Sequence, residues 1–188
     1  MSVYELILKR RTIRKFEQKA IEKDSIIKMI NAARLAPSGA NLQPLKFIAV
    51  TSPEMCDKVF PLTKYAGYLK DGGPKEGEKP MAYIVVLVDE KIRKDGAGED
   101  AGAAIENMIL TALDDGIAAC WVANVSREEL RKVLEIDDYL AINSVVALGY
   151  PMQESQEAEF DGDVKYYLDE TGKLHVPKRS MEEIFKIM

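Results

Sequence analysis

The run Tyr83-Ile-Val-Val-Leu-Val88 constrains this 188-residue chain more than any other feature. Six apolar residues, three of them valine, suit a strand. A strand with no polar alternation must be covered on both faces. Several helices are expected elsewhere in the chain. Ser2-x-x-Glu5 is a capping box, with Val3, Leu6 and Ile7 on one apolar face. Asp24 or Ser25 can cap a second helix carrying Ile26, Ile27, Ile30 and Ala33, which stops before Pro37. The longest helix is expected over 100–115, with Ile105, Met108, Ile109, Ala112 and Leu113 on one side and Gly116 as its stop. Shorter helices are expected around 54–60, after Ser126-x-x-Glu129 and after Ser180-x-x-Glu183. Further strands are expected at Lys46–Thr51, Ala119–Val122 and Ser144–Leu148. Residues 70–80 have the composition of a mobile loop, and the chain turns polar and acidic after Pro151.

Strands and helices mix without strict alternation, so the expected class is α+β, in a single domain over 1–188. No G-x-G-x-x-G follows any strand, which leaves a Rossmann dinucleotide site without support. Neither Tyr83–Val88 nor Ile117–Ala123 approaches the ~20 residues needed to span a bilayer. Ser2–Glu5 reads as a helix start rather than a secretion signal, so the expected compartment is the cytoplasm, with no membrane partner.

Composition removes several chemistries. Cys56 and Cys120 form no C-x-x-C pair. His175 is the only histidine, which rules out a zinc site built on several histidines and leaves a Ser-His-Asp hydrolase with one candidate and no G-x-S-x-G elbow. No metal site is expected. Any difficult chemistry would belong to a cofactor, with no catalytic side chain required. Cys120 and Trp121 are expected in the core, with Trp121 alternatively packing near a cofactor; Cys56 is read as incidental, and His175 as an exposed tail residue that could otherwise meet a phosphate.

Two polar constellations remain. Lys9, Arg10, Arg11, Arg14 and Lys15 crowd five bases into seven residues; taking them from the chain's 26 bases leaves 21 against 31 acids. Such a body repels a polyanion such as nucleic acid, yet the arginines could fork onto one small phosphate, with the Thr12 hydroxyl beside them. The same run also reads as a solvated face closing a short helix. Pro37-Ser38-Gly39-Ala40-Asn41-Leu42-Gln43-Pro44 offers amides and a hydroxyl suited to a heterocycle edge or a ribityl chain. It equally reads as an ordinary turn between helix and strand.

Taken together, Arg10-Arg-Thr-Ile-Arg-Lys-Phe16, Ala36–Pro44, Asp100–Leu110, Ala119-Cys-Trp-Val122, Ala147-Leu-Gly-Tyr-Pro151 and Lys178-Arg-Ser180 resemble, in order and spacing, the FMN-dependent nitroreductase family. The resemblance implies a central mixed or antiparallel sheet flanked by helices, in an intertwined homodimer that holds FMN across its interface. It implies that Arg10 and Thr12 hold the phosphate and ribityl chain, with Arg11 contributing. It places Arg14 by the pyrimidine edge, where a guanidinium stabilises the charge of reduced flavin. Pro37, Ser38, Gly39, Asn41 and Gln43 are implied to reach over from the partner subunit. Backbone amides at Ala123 and Asn124 would face flavin N5, and Lys178 and Arg179 would return to the phosphate. The small residues Ala101–Ala104 would let helices approach, either in that dimer or against the chain's own sheet. The activity implied is ping-pong transfer from NADH or NADPH to a nitroaromatic, quinone or similar small acceptor. Reductive dehalogenation, flavin-consuming oxidation, and flavin binding without turnover are the alternatives.

Overall fold

The computed structural model describes residues 1–70 and 72–188; Asp71, inside the 70–80 loop, lies outside the described residues. Helix α1 (Val3–Lys9) leads through β1 (Phe16–Glu17) to α2 (Lys23–Arg34). Then come β2 (Leu45–Val50), α3 (Pro53–Val59), β3 (Ala82–Asp89), α4 (Gly98–Asp114), β4 (Ala118–Val122), α5 (Arg127–Val133) and β5 (Leu140–Pro151). The chain ends with β6 (Ser155–Glu159), β7 (Tyr167–Leu168), β8 (Leu174–Lys178) and α6 (Met181–Ile184). Among the described residues no helix is long and apolar enough to cross a membrane.

The apolar run forms the middle of the main sheet. All eight residues of β3 are buried, and the strand pairs antiparallel with β2 on one side and β5 on the other. Strand β5 is long enough to take β4 along Val145–Gly149 and β1 at Tyr150–Pro151, both antiparallel. Side chains alternate across the sheet as the strand period requires. Tyr83, Val85 and Leu87 join Phe16, Val59, Cys120 and Leu130 under α3 and α5. Ala82, Ile84 and Val86 join Met29, Ala101, Ala104, Ile105 and Met108 under α2 and α4. Thus an antiparallel sheet with a helical layer on each face replaces the parallel arrangement that usually explains so apolar a strand. Close approach at one point depends on glycine: a Cβ on Gly149 would lie 2.7 Å from that of Phe16.

Several boundaries differ from expectation. Helix α2 begins at Lys23, with Glu22 at the N-cap and no side-chain cap bond, because burial of Ile26 and Met29 carries it rather than capping by Asp24 or Ser25. Ser126 sits at the N-cap of α5 without a side-chain cap bond, whereas the boxes at Ser2–Glu5 and Ser180–Glu183 are both formed. In α1 only Leu6 is buried; Val3 and Ile7 are exposed beside Tyr4 and Leu8. The polar tail contains a three-stranded sheet ordered β6-β8-β7. Ala101 and Ala104 press against the chain's own core, while Gly102 faces Trp121.

Candidate functional site

The basic segment is fixed at both ends. Arg10 closes α1, its N–H donating to the Leu6 carbonyl at 2.8 Å, and Phe16 is sealed into the core. Between them the Ile13 N–H donates to the Ala119 carbonyl of β4 at 3.1 Å, and its side chain is buried. This leaves Arg10 and Thr12 lining a cleft of about 390 Å³ with Glu106 and Ile109 of α4 and Ala119, Trp121 and Ala123. Arg10 Nε lies 3.3 Å from Glu106 Oε1, so one carboxylate already steers the guanidinium. Trp121 is 44% exposed, contrary to the core position expected for it. Its Nε1 donates to Ser144 Oγ at 2.7 Å, and its ring edge rests over Gly102, where no Cβ crowds it. Strand alternation explains the difference: Cys120 and Val122 enter one core, which turns Trp121 to the opposite face, past the cover of α4.

A second cleft, of about 280 Å³, meets the first at Arg10, Ile109 and Ala119 and extends to Lys9, Arg11, Lys173 and Ser155. The Arg11 side chain is only 10% exposed. It donates from Nη1 to the Arg10 carbonyl and from Nη2 to Glu157, while its buried Nε and the buried Ser155 Oγ have no partner among the described residues. Arg14 lies outside the lining of both clefts. Its guanidinium carbon is 4.6 Å from the Tyr166 ring centroid, and its buried Nε likewise has no partner among the described residues.

The loop after α2 lies elsewhere. Pro37, Ser38 and Gln43 line a cleft of about 340 Å³ with Ala33, Arg34, Phe47 and Asp100. Ala40, Asn41 and Gln43 have φ of 50°, 54° and 52°, a left-handed conformation that costs each non-glycine residue ~1–3 kcal/mol. Local bonds hold it: Ser38 Oγ accepts from the Gln43 N–H at 3.1 Å, and the Ser38 carbonyl from the Asn41 N–H at 2.9 Å. Asn41 and Gly39 stand exposed at the crest. Within one chain the loop and Arg10 therefore occupy separate clefts. Both lean on α4, at Asp100 and Glu106, roughly 9 Å apart along the helix axis at 1.5 Å per residue.

Ala123 lines the Arg10 cleft and its carbonyl accepts from Arg127; the Asn124 carbonyl accepts from the Lys64 N–H at 3.0 Å. Lys178 ends β8 opposite Glu159, and Arg179 pairs with Glu183 at 3.2 Å beside the Phe160 ring, so neither lines the Arg10 cleft. Burial pushes the Cys56 and Cys120 thiols up to about 11, which leaves both as weak nucleophiles at neutral pH. Glu106 and Asp100 are site residues that sequence reasoning missed, and Trp121 is one that it placed in the core in preference to the cofactor site. Only Trp121 carried a signal, in the alternation of its strand.

His175 is part of the tail sheet rather than free in solvent. Its Nε2 lies 2.8 Å from Asp169 Oδ2, and its ring stacks on Tyr167 with centroids 5.0 Å apart. The Thr171 hydroxyl, then His175 and the Lys173 and Thr171 N–H groups, hold the Asp169 carboxyl well below its usual value. A depressed carboxyl contributes stability above its unfolded value of ~3.9, and that contribution is lost as pH falls below about 4. Asp169→Asn is therefore expected to flatten the fall in melting temperature between about pH 5 and pH 2.5. Parallel wild-type and variant curves would refute the assignment.

The sequence pattern of the nitroreductase family fits residues 7–150. This chain belongs to that family. An Archaeoglobus fulgidus protein provisionally named NADH dehydrogenase/NAD(P)H nitroreductase is 36% identical over 163 residues, which cover 83% of this chain and 89% of that one. Among solved structures, an FMN-dependent nitroreductase from Clostridium difficile R20291 superposes with a TM-score of 0.69 at 26% identity, covering 84% of this chain and 92% of that one. A nitroreductase from Desulfovibrio desulfuricans, crystallised in complex with FMN, gives 0.67 at 26% identity over 81% and 88% of the two chains. The α+β architecture with its antiparallel sheet matches those of solved nitroreductases.

Proposed function

We propose that this nitroreductase-family chain is an FMN-dependent oxidoreductase, active as a homodimer, that uses NADH or NADPH to reduce a nitroaromatic, quinone or similar small acceptor. The observation that carries the reading is the pair of clefts that share Arg10, Ile109 and Ala119 in their linings, with cations and a buried guanidinium nitrogen unpartnered among the described residues at one end and the Trp121, Ala119 and Ala123 wall at the other. The donor set fits FMN: Arg10, Arg11 and the Thr12 hydroxyl suit a phosphate and its ribityl chain, and an aromatic and apolar wall suits a planar ring. Bound FMN would supply the redox chemistry, accepting a hydride from the nicotinamide donor and passing electrons to the acceptor that replaces it.

The protein's own part is to hold and orient. Glu106 keeps the Arg10 guanidinium turned into the cleft. Ser144 accepts from the indole N–H of Trp121, which orients that wall before any ligand arrives. Ala123 and Asn124, where β4 ends, would offer backbone amides to the reactive edge of the ring. Lys178 and Arg179 are assigned to the phosphate, and Arg14 to the pyrimidine edge; both need movement of the tail or of Tyr166 to reach it. The strained crest at Gly39, Asn41 and Gln43 belongs to a loop whose cleft is separate from that of Arg10 within one chain, so it is assigned to the partner's site. Uncovered apolar side chains on α1 (Val3, Tyr4, Ile7) and near the carboxyl end (Met181, Ile184, Phe185) support the dimer.

Purified protein mixed with FMN is expected to give flavin absorption and to bleach under anaerobic NADH or NADPH, with colour restored by an acceptor. Because Trp121 is the only tryptophan and lines the cleft, FMN is expected to quench most of the tryptophan emission. Binding with no bleaching by either donor would leave a flavin-holding protein without turnover. Unchanged tryptophan emission at saturating FMN would remove the site.

A further inference from the structure

Asp100 is a carboxylate that the flavin reading leaves without a role, yet it is 5% exposed in the first turn of α4. Its two oxygens face different partners. Oδ1 accepts from the Gly39 N–H at 2.9 Å, and Oδ2 from Arg93 Nη1 at 3.1 Å. The helix N-terminus further favours the charge at this position. Arg93 is itself fixed: its Nε donates to the Asp95 carbonyl at 2.7 Å, and its guanidinium fills a slot between two glycines. A Cβ on Gly39 would lie 2.6 Å from Nη1, and one on Gly96 2.7 Å from Nη2. The crest that Gly39 opens is the same one that holds Ala40, Asn41 and Gln43 at positive φ.

A strained loop needs something to hold it, since its relaxed shapes turn its amides elsewhere. The bonds from Ser38 are local to the loop and shape it without placing it. The Asp100 bond, by contrast, ties the loop to α4, and α4 also carries the Glu106 that orients Arg10. We propose that Asp100 and Arg93 are positioning residues that clamp the Pro37–Pro44 loop in the one shape from which Asn41 and Gln43 can meet a flavin. This rests on the FMN reading above, and it adds that flavin affinity is set partly by residues that do not touch the flavin. Binding then needs no reordering of the loop.

The test compares wild type with Asp100→Ala, Asp100→Asn, Arg93→Ala and Gly39→Ala. Amide hydrogen exchange over residues 39–43 is measured without ligand, followed by FMN affinity and the visible circular dichroism of bound flavin. Asp100→Ala is expected to speed exchange at Gly39 at least 10-fold and to weaken FMN about 10-fold. Asp100→Asn keeps an acceptor for the Gly39 N–H, so it should recover much of both. Gly39→Ala expels the guanidinium from the loop side and should act in the same direction as Arg93→Ala. A changed dichroism band at full occupancy would mark a misplaced loop, a signature that general destabilisation would not produce. Wild-type exchange in Asp100→Ala, or fast exchange with unaltered affinity and dichroism, overturns the proposal. If Asp100→Ala fails to fold, Arg93→Ala, which leaves the crest residues themselves intact, decides it by the same criteria. Failure of wild type to bind FMN would instead overturn the underlying reading, so the two failures are separable.

Discussion

Arg10→Ala is expected to raise the FMN dissociation constant by about 10- to 150-fold, the equivalent of losing one charge-assisted hydrogen bond of ~1.5–3 kcal/mol. Arg10 lies where the two clefts meet, with its Nε held by Glu106. Removing it also leaves the Glu106 carboxylate alone beside the proposed phosphate, so like charges would repel. The reverse substitution separates these contributions. Glu106→Gln keeps an acceptor for the Arg10 guanidinium while removing the carboxylate charge, so it is expected to change FMN affinity far less than Arg10→Ala does. Titration by flavin fluorescence measures both, and Arg10→Ala protein that retains flavin as tightly as wild type would refute the assignment.

Phe16→Ala is expected to cost about 3–5 kcal/mol of folding stability, as truncation of a fully buried aromatic does. Phe16 has no exposed surface; its backbone N–H donates to the Glu78 carbonyl, and its side chain lies over Gly149 of β5. No neighbour within β1 can compensate, because that strand has only two residues. A net stability of ~5–15 kcal/mol is typical, so the variant should unfold at a markedly lower urea concentration. The same change should loosen the carboxyl-terminal anchor of the 10–16 segment and weaken FMN binding through Arg10 and Thr12. A urea midpoint at wild-type level, with protein concentration matched to allow for association, would contradict this account.

Much of the framework was legible before any coordinates. Helices α1 and α6 carry capping boxes that local bonding completes, and β3 is an apolar run that only a covered sheet accommodates. The α+β class followed from element order, and the family resemblance from six short motifs in order along the chain. The tail sheet was not legible: β6, β7 and β8 have two to five residues each, too few for a strand period to show, and backbone pairing among them specifies them. Neither was the position of Trp121. Its composition argues for burial, but the edge of α4 leaves that face of β4 uncovered. Arg14 belongs to the basic run by sequence, and its stacking on Tyr166 depends on a segment about 150 positions later.

What the sequence alone determined is the helices, the longer strands of the main sheet, the two polar constellations and the family, because capping, periodicity and motif order are written in the residues themselves and need no partner. The tertiary structure decided which cation reaches which cleft, that Asp100 and Arg93 hold the loop crest, and that Trp121 forms a wall. Those outcomes depend on contacts between segments far apart in the chain, where burial and charge pairing are settled by what the fold brings alongside.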